Sequence, residues 1–230
     1  MESEIMKSQE NPREESRDTA ALLEKLTKEQ NERLAIREEN LKYIDRAPDL
    51  PKNLITKIDR VQKFITKLKN LKEDSKDSLL EEMSGLNLTR YTSEIADIIA
   101  KSRLQIKELN IMIDICIAMH QRYKDFALTL IPCLHKQFQQ CTGCNDETSK
   151  AMKRRQMLRL MTELYLKGVI NDIVNIGKCL KEVITTDKSK EREKFACNIS
   201  LLASYLKQYG EVLFGIVQKK TRLLMEVNQK

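Results

Sequence analysis

Apolar residues crowd one stretch of this chain and recur at helical spacing over much of the rest. From Ile111 to Met119 eight of nine residues are apolar, with Asp114 the one interruption, so a helix here is hydrophobic on nearly its whole circumference and has to be buried. The segment 120–124, His-Gln-Arg-Tyr-Lys, supplies a polar turn. Phe126, Leu130, Leu134 and Phe138 then fall on one stripe at fourfold spacing, the pattern of an amphipathic helix. The spacing predicts two antiparallel helices joined by a short turn, around which the other elements pack.

Upstream, Leu54, Ile58, Val61, Ile65 and Leu68 alternate spacings of four and three and share one face of a predicted helix that runs to about Leu71. Lys57, Arg60, Lys63 and Lys67 project from its opposite side. Short helices are expected near Ser78–Met83, with Gly85 as its stop, and from Thr89 to Ser102. Downstream the rhythm predicts helices at Ser149–Lys167, Asn171–Thr185, Arg192–Gln208 and Glu211–Val227, with Gly168 and Gly210 as stops and Asn171 and Asp172 as capping residues. Helices of this length with short links suit antiparallel neighbours. The chain therefore reads as all-α, an α-solenoid in which each helix pair buries its face against the next.

The leading segment differs. Residues 1–18 are polar, mixed in charge and without apolar period, and are expected to be disordered or frayed. Residues 19–47 form a charged helical extension with Glu24–Lys28, Glu29–Arg33 and Glu38–Lys42 in the favourable i,i+4 order. Its thin seam of Leu22, Leu26, Leu34, Leu41 and Ile44 does not sustain a heptad. Pro48 and Pro51 bracket a break, so the helical-repeat domain is assigned to residues 48–230.

Charge follows the same division. Residues 1–47 hold 9 Lys and Arg against 12 Asp and Glu, leaving 32 against 22 for residues 48–230. A positive field suits phosphate backbones or acidic protein surfaces, although lysine-rich outer faces are also the ordinary way a helical protein stays in water. The candidate contacts for an anionic partner or RNA are Lys57, Arg60, Lys63, Lys67, Lys153, Arg154, Arg155, Lys219 and Lys220. Aromatic residues do not alternate with these cations, so RNA would be held through its phosphates. The cations that open the helix after Ser149 also oppose its dipole, which points to an anion there.

Reactive chemistry is sparse. Cys133, His135, Cys141 and Cys144 are metal-compatible residue types, but a single Cys-x-x-C without a second knuckle is a weak zinc signal, and reduced thiols are the expected state. Neither His120 nor His135 sits in a recognisable catalytic motif, and His120 suits a hydrogen-bonded packing role. Asp114 is expected to reach the helix edge and pair with a basic neighbour. Phosphate loops, nucleophile elbows and paired-carboxylate motifs are absent from the sequence. A chain with no signal peptide and no apolar run of spanning length is expected to be soluble and intracellular.

The segments SGLNLTRYTSEIADII (84–99), IMIDICIAMHQRYKDF (111–126) and MLRLMTELYLKGVI (157–170) resemble the MIF4G family of HEAT-like helical domains. The likeness rests on Gly85, Leu86, Asn87, Leu88, Tyr91, Glu94, the run His120 to Tyr123, and Asp125, Phe126 and Ala127, with Thr162, Glu163, Leu164 and Gly168 as a looser match. It covers roughly residues 50–220 and is to the MIF4G domains of nonsense-mediated mRNA decay adaptors. The resemblance implies a non-enzymatic scaffold without cofactor or small-molecule substrate, which meets other decay proteins of a surveillance complex and no membrane, in the cytoplasm or around the nucleus. RNA bound through its phosphates is the other partner in view. A translation or splicing factor gripping a DEAD-box helicase and a direct RNA-binding module are the alternative readings. The quoted motif residues look like packing and turn determinants more than a binding surface.

Overall fold

A computed structural model describes residues 12–44, 54–141, 147–185, 192–216 and 222. The chain divides into two compact units, one formed by Met1–Arg33 with Leu206–Lys230 and the other by Leu34–Tyr205. The helices are α1 (Pro12–Leu41), α2 (Ile58–Lys69), α3 (Lys76–Gly85), α4 (Thr92–Lys101), α5 (Ile106–Arg122), α6 (Phe126–Gln140), α7 (Glu147–Leu166), α8 (Val174–Ile184) and α9 (Arg192–Phe214). Single 3-10 turns lead into α3 and α4. No strand is present among the described residues, and one parallel bridge between Ile55 and Leu86 is the extent of β pairing there.

Within Leu34–Tyr205 the even helices stack on one another, α2 on α4, α4 on α6 and α6 on α8, while α3, α5 and α7 follow each other in a second layer. The layers meet through α2 with α3, α5 with α6, and α6 and α8 with α7. This is the two-layer order of an α-solenoid. The core between the layers holds Phe64, Ile95, Ile99, Met112, Cys116, Met119, Phe126, Leu130, Leu134, Phe138, Met161 and Leu164, all nearly or wholly excluded from solvent. The expected central pair is present, although α6 packs most extensively on α4 rather than on α5.

Several boundaries differ from the periodicity. α5 continues through His120 and Gln121 to Arg122, so the polar turn shrinks to the residues before Phe126. Burial of His120 lets the helix run on. Ile58 is 64% exposed, because Phe64 joins Val61, Ile65 and Leu68 on the buried face and leaves Ile58 at its edge. α1 begins at Pro12, earlier than Thr19, with proline in the first-turn position that tolerates it.

Gly168 ends α7 as expected. Its φ is +78°, and its N–H donates to the Tyr165 carbonyl (3.1 Å) while Val169 donates to Leu164 (2.9 Å), a Schellman closure. Asp172 accepts from the Val174 N–H at 2.8 Å at the start of α8. In the other unit Gly210 does not stop a helix. α9 passes through it to Phe214, and Gly215 takes the left-handed conformation at φ +66° instead.

Candidate interaction surface

The run His120 to Tyr123 fastens the end of α5 to two other elements. Tyr123 is buried; its hydroxyl accepts from the Leu88 N–H (2.9 Å) and donates to the Leu86 carbonyl (3.3 Å), pinning the link between α3 and α4. Arg122 donates to the carbonyls of Met83 (2.8 Å) and Ser84 (2.9 Å) in the last turn of α3, where a cation complements the helix dipole.

His120 and Gln121 reach the last turns of α1. Asn40 is 1% exposed; its amide Nδ2 donates to the Lys167 carbonyl (2.7 Å), its Oδ1 accepts from Gln121 (2.8 Å), and its backbone carbonyl accepts from His120 Nε2 (3.1 Å). Because the partner is a carbonyl, Nε2 carries the proton, and Nδ1 has no partner among the described residues. Burial holds the His120 pKa below its usual value, against the opposing effect of the Asn40 contact. Arg37 lies 4.5 Å over the Tyr165 ring and donates to the Tyr165 carbonyl. Thus α1 supplies Arg37 and Asn40 to the carbonyls at the C-terminus of α7, groups that a helix cannot satisfy by itself.

Asp114 reaches the edge of α5, as expected, and pairs with Lys76 (2.8 Å), with Lys167 at 3.9 Å. The hydrogen bond and charge of Asp114 raise the Lys76 pKa.

The expected anion contacts separate into distinct groups. Lys153, Arg154 and Arg155 are engaged within the fold. Lys153 Nζ donates to the Lys101 carbonyl at the end of α4 (3.4 Å), and Arg155 donates to Ser200 Oγ (2.7 Å). Arg154 is 4% exposed, donates to Asn198 Oδ1 (2.8 Å) and stacks 4.6 Å over Phe138. Its expected place on an anion-binding surface is therefore corrected: the guanidinium lies in the interior, where an aromatic face and an amide oxygen compensate its desolvation. Lys153, Arg154 and Arg155, which oppose the dipole of α7, thus have partners within the fold.

By contrast Lys57 at the N-cap of α2, and Arg60, Lys63 and Lys67 along it, are all exposed, and among the described residues Lys67 alone of them forms an ion pair, with Glu82 at 2.7 Å. Lys219 and Lys220 lie outside the described residues, as does Cys144. Cys133, His135 and Cys141 are half-buried. Among the described residues no group of three His, Cys, Asp or Glu side chains is placed to hold a metal ion. A half-open hollow of about 10 Å³, lined by residues including Ser102, Leu109, Leu134, Gln156 and Leu160, is of the size of a single water. Sequence reasoning missed Arg37 and Asn40, whose partners lie 80 to 128 residues away.

The two-layer helical solenoid, with the quoted motif residues fastening helix ends together, is an all-α fold of the MIF4G type. The solved first MIF4G domain of the human nonsense mediated decay factor UPF2 matches it with a TM-score of 0.74 at 26% identity, covering 94% of this chain and 70% of that one. The Regulator of nonsense transcripts UPF2 of Arabidopsis thaliana is 30% identical over 213 residues, and the Regulator of nonsense transcripts 2 of Homo sapiens is 29% identical over 201. These alignments cover 89% and 84% of this chain but 18% and 15% of the relatives. No family model matches the chain. The chain is homologous to UPF2-type regulators of nonsense transcripts and carries the fold of their first MIF4G domain.

Proposed function

We propose that this chain is a non-enzymatic adaptor domain in nonsense-mediated mRNA decay, which bridges decay factors on mRNA in the cytoplasm or around the nucleus through protein contacts. The observation that carries the reading is the use made of the polar motif residues. His120, Gln121, Arg122 and Tyr123 hold α1, α3 and the α3–α4 link in place, so the residues on which the sequence resemblance rests build a platform and leave its outer faces for partners. The relatives named as regulators of nonsense transcripts supply the pathway.

The test has two arms. Depleting the parent transcript should lengthen the half-life of an mRNA bearing a premature stop codon while a control mRNA is unaffected, and the tagged chain should co-purify decay factors. An unchanged half-life overturns the pathway. Capture of a DEAD-box helicase with no decay factor transfers the chain to the translation or splicing alternative.

A further inference from the structure

We propose that the outward face of α2 binds the phosphate backbone of RNA through Lys57, Arg60 and Lys63, with Lys67 at the end of the row. Three observations carry this. First, Arg60, Lys63 and Lys67 recur every three or four positions along α2, a span of about 10 Å at a rise of 1.5 Å per residue, and Lys57 stands just ahead of them at the N-cap of the helix. Secondly, the row is available: all four side chains are exposed, and those of Lys57, Arg60 and Lys63 form no ion pair among the described residues. In the basic group at 153–155, Arg154 is buried against Phe138 and Asn198, and Lys153 and Arg155 hydrogen-bond to the Lys101 carbonyl and Ser200 Oγ.

Thirdly, the composition of the face selects the partner. Protein hot spots need aromatic or large apolar anchors, and lysine is depleted from them. The exposed face of α2 offers lysines, Asp59, Gln62 and Thr66, with Ile58 alone at the margin. A membrane surface would require the apolar face of the helix, but Val61, Phe64, Ile65 and Leu68 are sealed in the core. A polyanion requires neither anchor nor insertion, since counterion release supplies the binding free energy. Contact is then independent of base sequence.

The inference stands apart from the adaptor reading, because RNA affinity and capture of decay proteins are separate measurements. The experiment measures fluorescence anisotropy of a labelled mixed-sequence single-stranded RNA of about 20 nucleotides with the full chain, between 50 and 200 mM KCl. Neutralising Lys57→Gln, Arg60→Gln and Lys63→Gln together should reduce the slope of log affinity against log salt by about 2, which over this fourfold salt range is a loss of roughly 16-fold in salt sensitivity. Affinity at 50 mM should fall at least tenfold. The Lys153→Gln/Arg155→Gln variant should bind within twofold of the unaltered chain.

Circular dichroism checks that the triple variant keeps its helix content and melting temperature, as expected for exposed side chains. Unchanged affinity and slope in the triple variant overturn the proposal. So does an unaltered chain that fails to bind RNA at 50 mM, or that binds a polyglutamate peptide in its place.

Discussion

Replacing Gly168 with alanine should destabilise the chain by about 2.5–5 kcal/mol, and the structure divides that cost into two parts. The residue sits at φ +78°, a left-handed conformation that costs an L-residue about 1–2 kcal/mol. A Cβ there would also stand 2.6 Å from the Arg37 carbonyl oxygen and 3.1 Å from its Cα. These are backbone atoms, so α1 itself must shift. The shift pulls Arg37 away from the Tyr165 ring and carbonyl, and loss of a charge-assisted hydrogen bond alone is worth about 1.5–3 kcal/mol. Urea denaturation followed by circular dichroism should show a lower midpoint with an unchanged m-value. Gly168→Asn separates the parts, since asparagine tolerates the conformation but carries the same Cβ. It should recover less than half of the loss. In an Arg37→Ala background the alanine substitution should cost less than in the parent, because the Arg37 side-chain contacts with Tyr165 are already gone, but more than the conformational part alone, because the backbone clash remains. A Gly168→Ala chain within 0.5 kcal/mol of the parent, or full recovery by asparagine, would refute the close-approach argument.

Three further outcomes are expected. Asn40→Ala deprives the Lys167 carbonyl and the Gln121 amide of their partner and should cost about 2 kcal/mol, read as a fall in melting temperature of roughly 4–8 °C for a chain of this size. His120 has its pKa depressed by burial, so its neutral form stabilises the fold fully above the unfolded value of about 6.5, and that contribution is lost as pH falls toward the folded value, with a slope of at most about 1.4 kcal/mol per unit. Urea midpoints between pH 7.5 and 5.5 should show this slope, and His120→Gln should flatten it. Finally, Cys116 is fully buried with its thiol pushed well up, and Cys179 is buried with its pKa raised to about 12. Both should resist a thiol reagent until urea unfolds the chain, and mass spectrometry of the labelled protein checks this.

The layered helices were legible in the sequence because periodicity reports which side of a helix faces inward, and Phe126, Leu130, Leu134 and Phe138 are all buried as their spacing requires. Asp114 was also legible, since a carboxylate in so apolar a helix can go only to its edge. What the sequence hid is long-range pairing. Nothing local distinguishes Arg154 from Arg155, yet one is interior and the other exposed, because the turn of α7 that carries Arg154 meets Phe138 and Asn198. Arg37 and Asn40 look like ordinary members of a charged helix until the end of α7 is set beside them. Gly210 misled for the opposite reason: a glycine favours a left-handed stop but does not impose one, and Gly215 five residues later took the role.

The clasp of Arg37 and Asn40 on α7 bears on how this protein can be dissected. Composition invites a cut at Pro48, where the prolines interrupt the helical pattern. A fragment starting there would leave the Tyr165 and Lys167 carbonyls without their side-chain donors and open the buried edge at His120 to water. A truncation that behaves like the parent has to begin upstream of Leu34, so that the strand of chain most easily mistaken for a disposable leader travels with the solenoid.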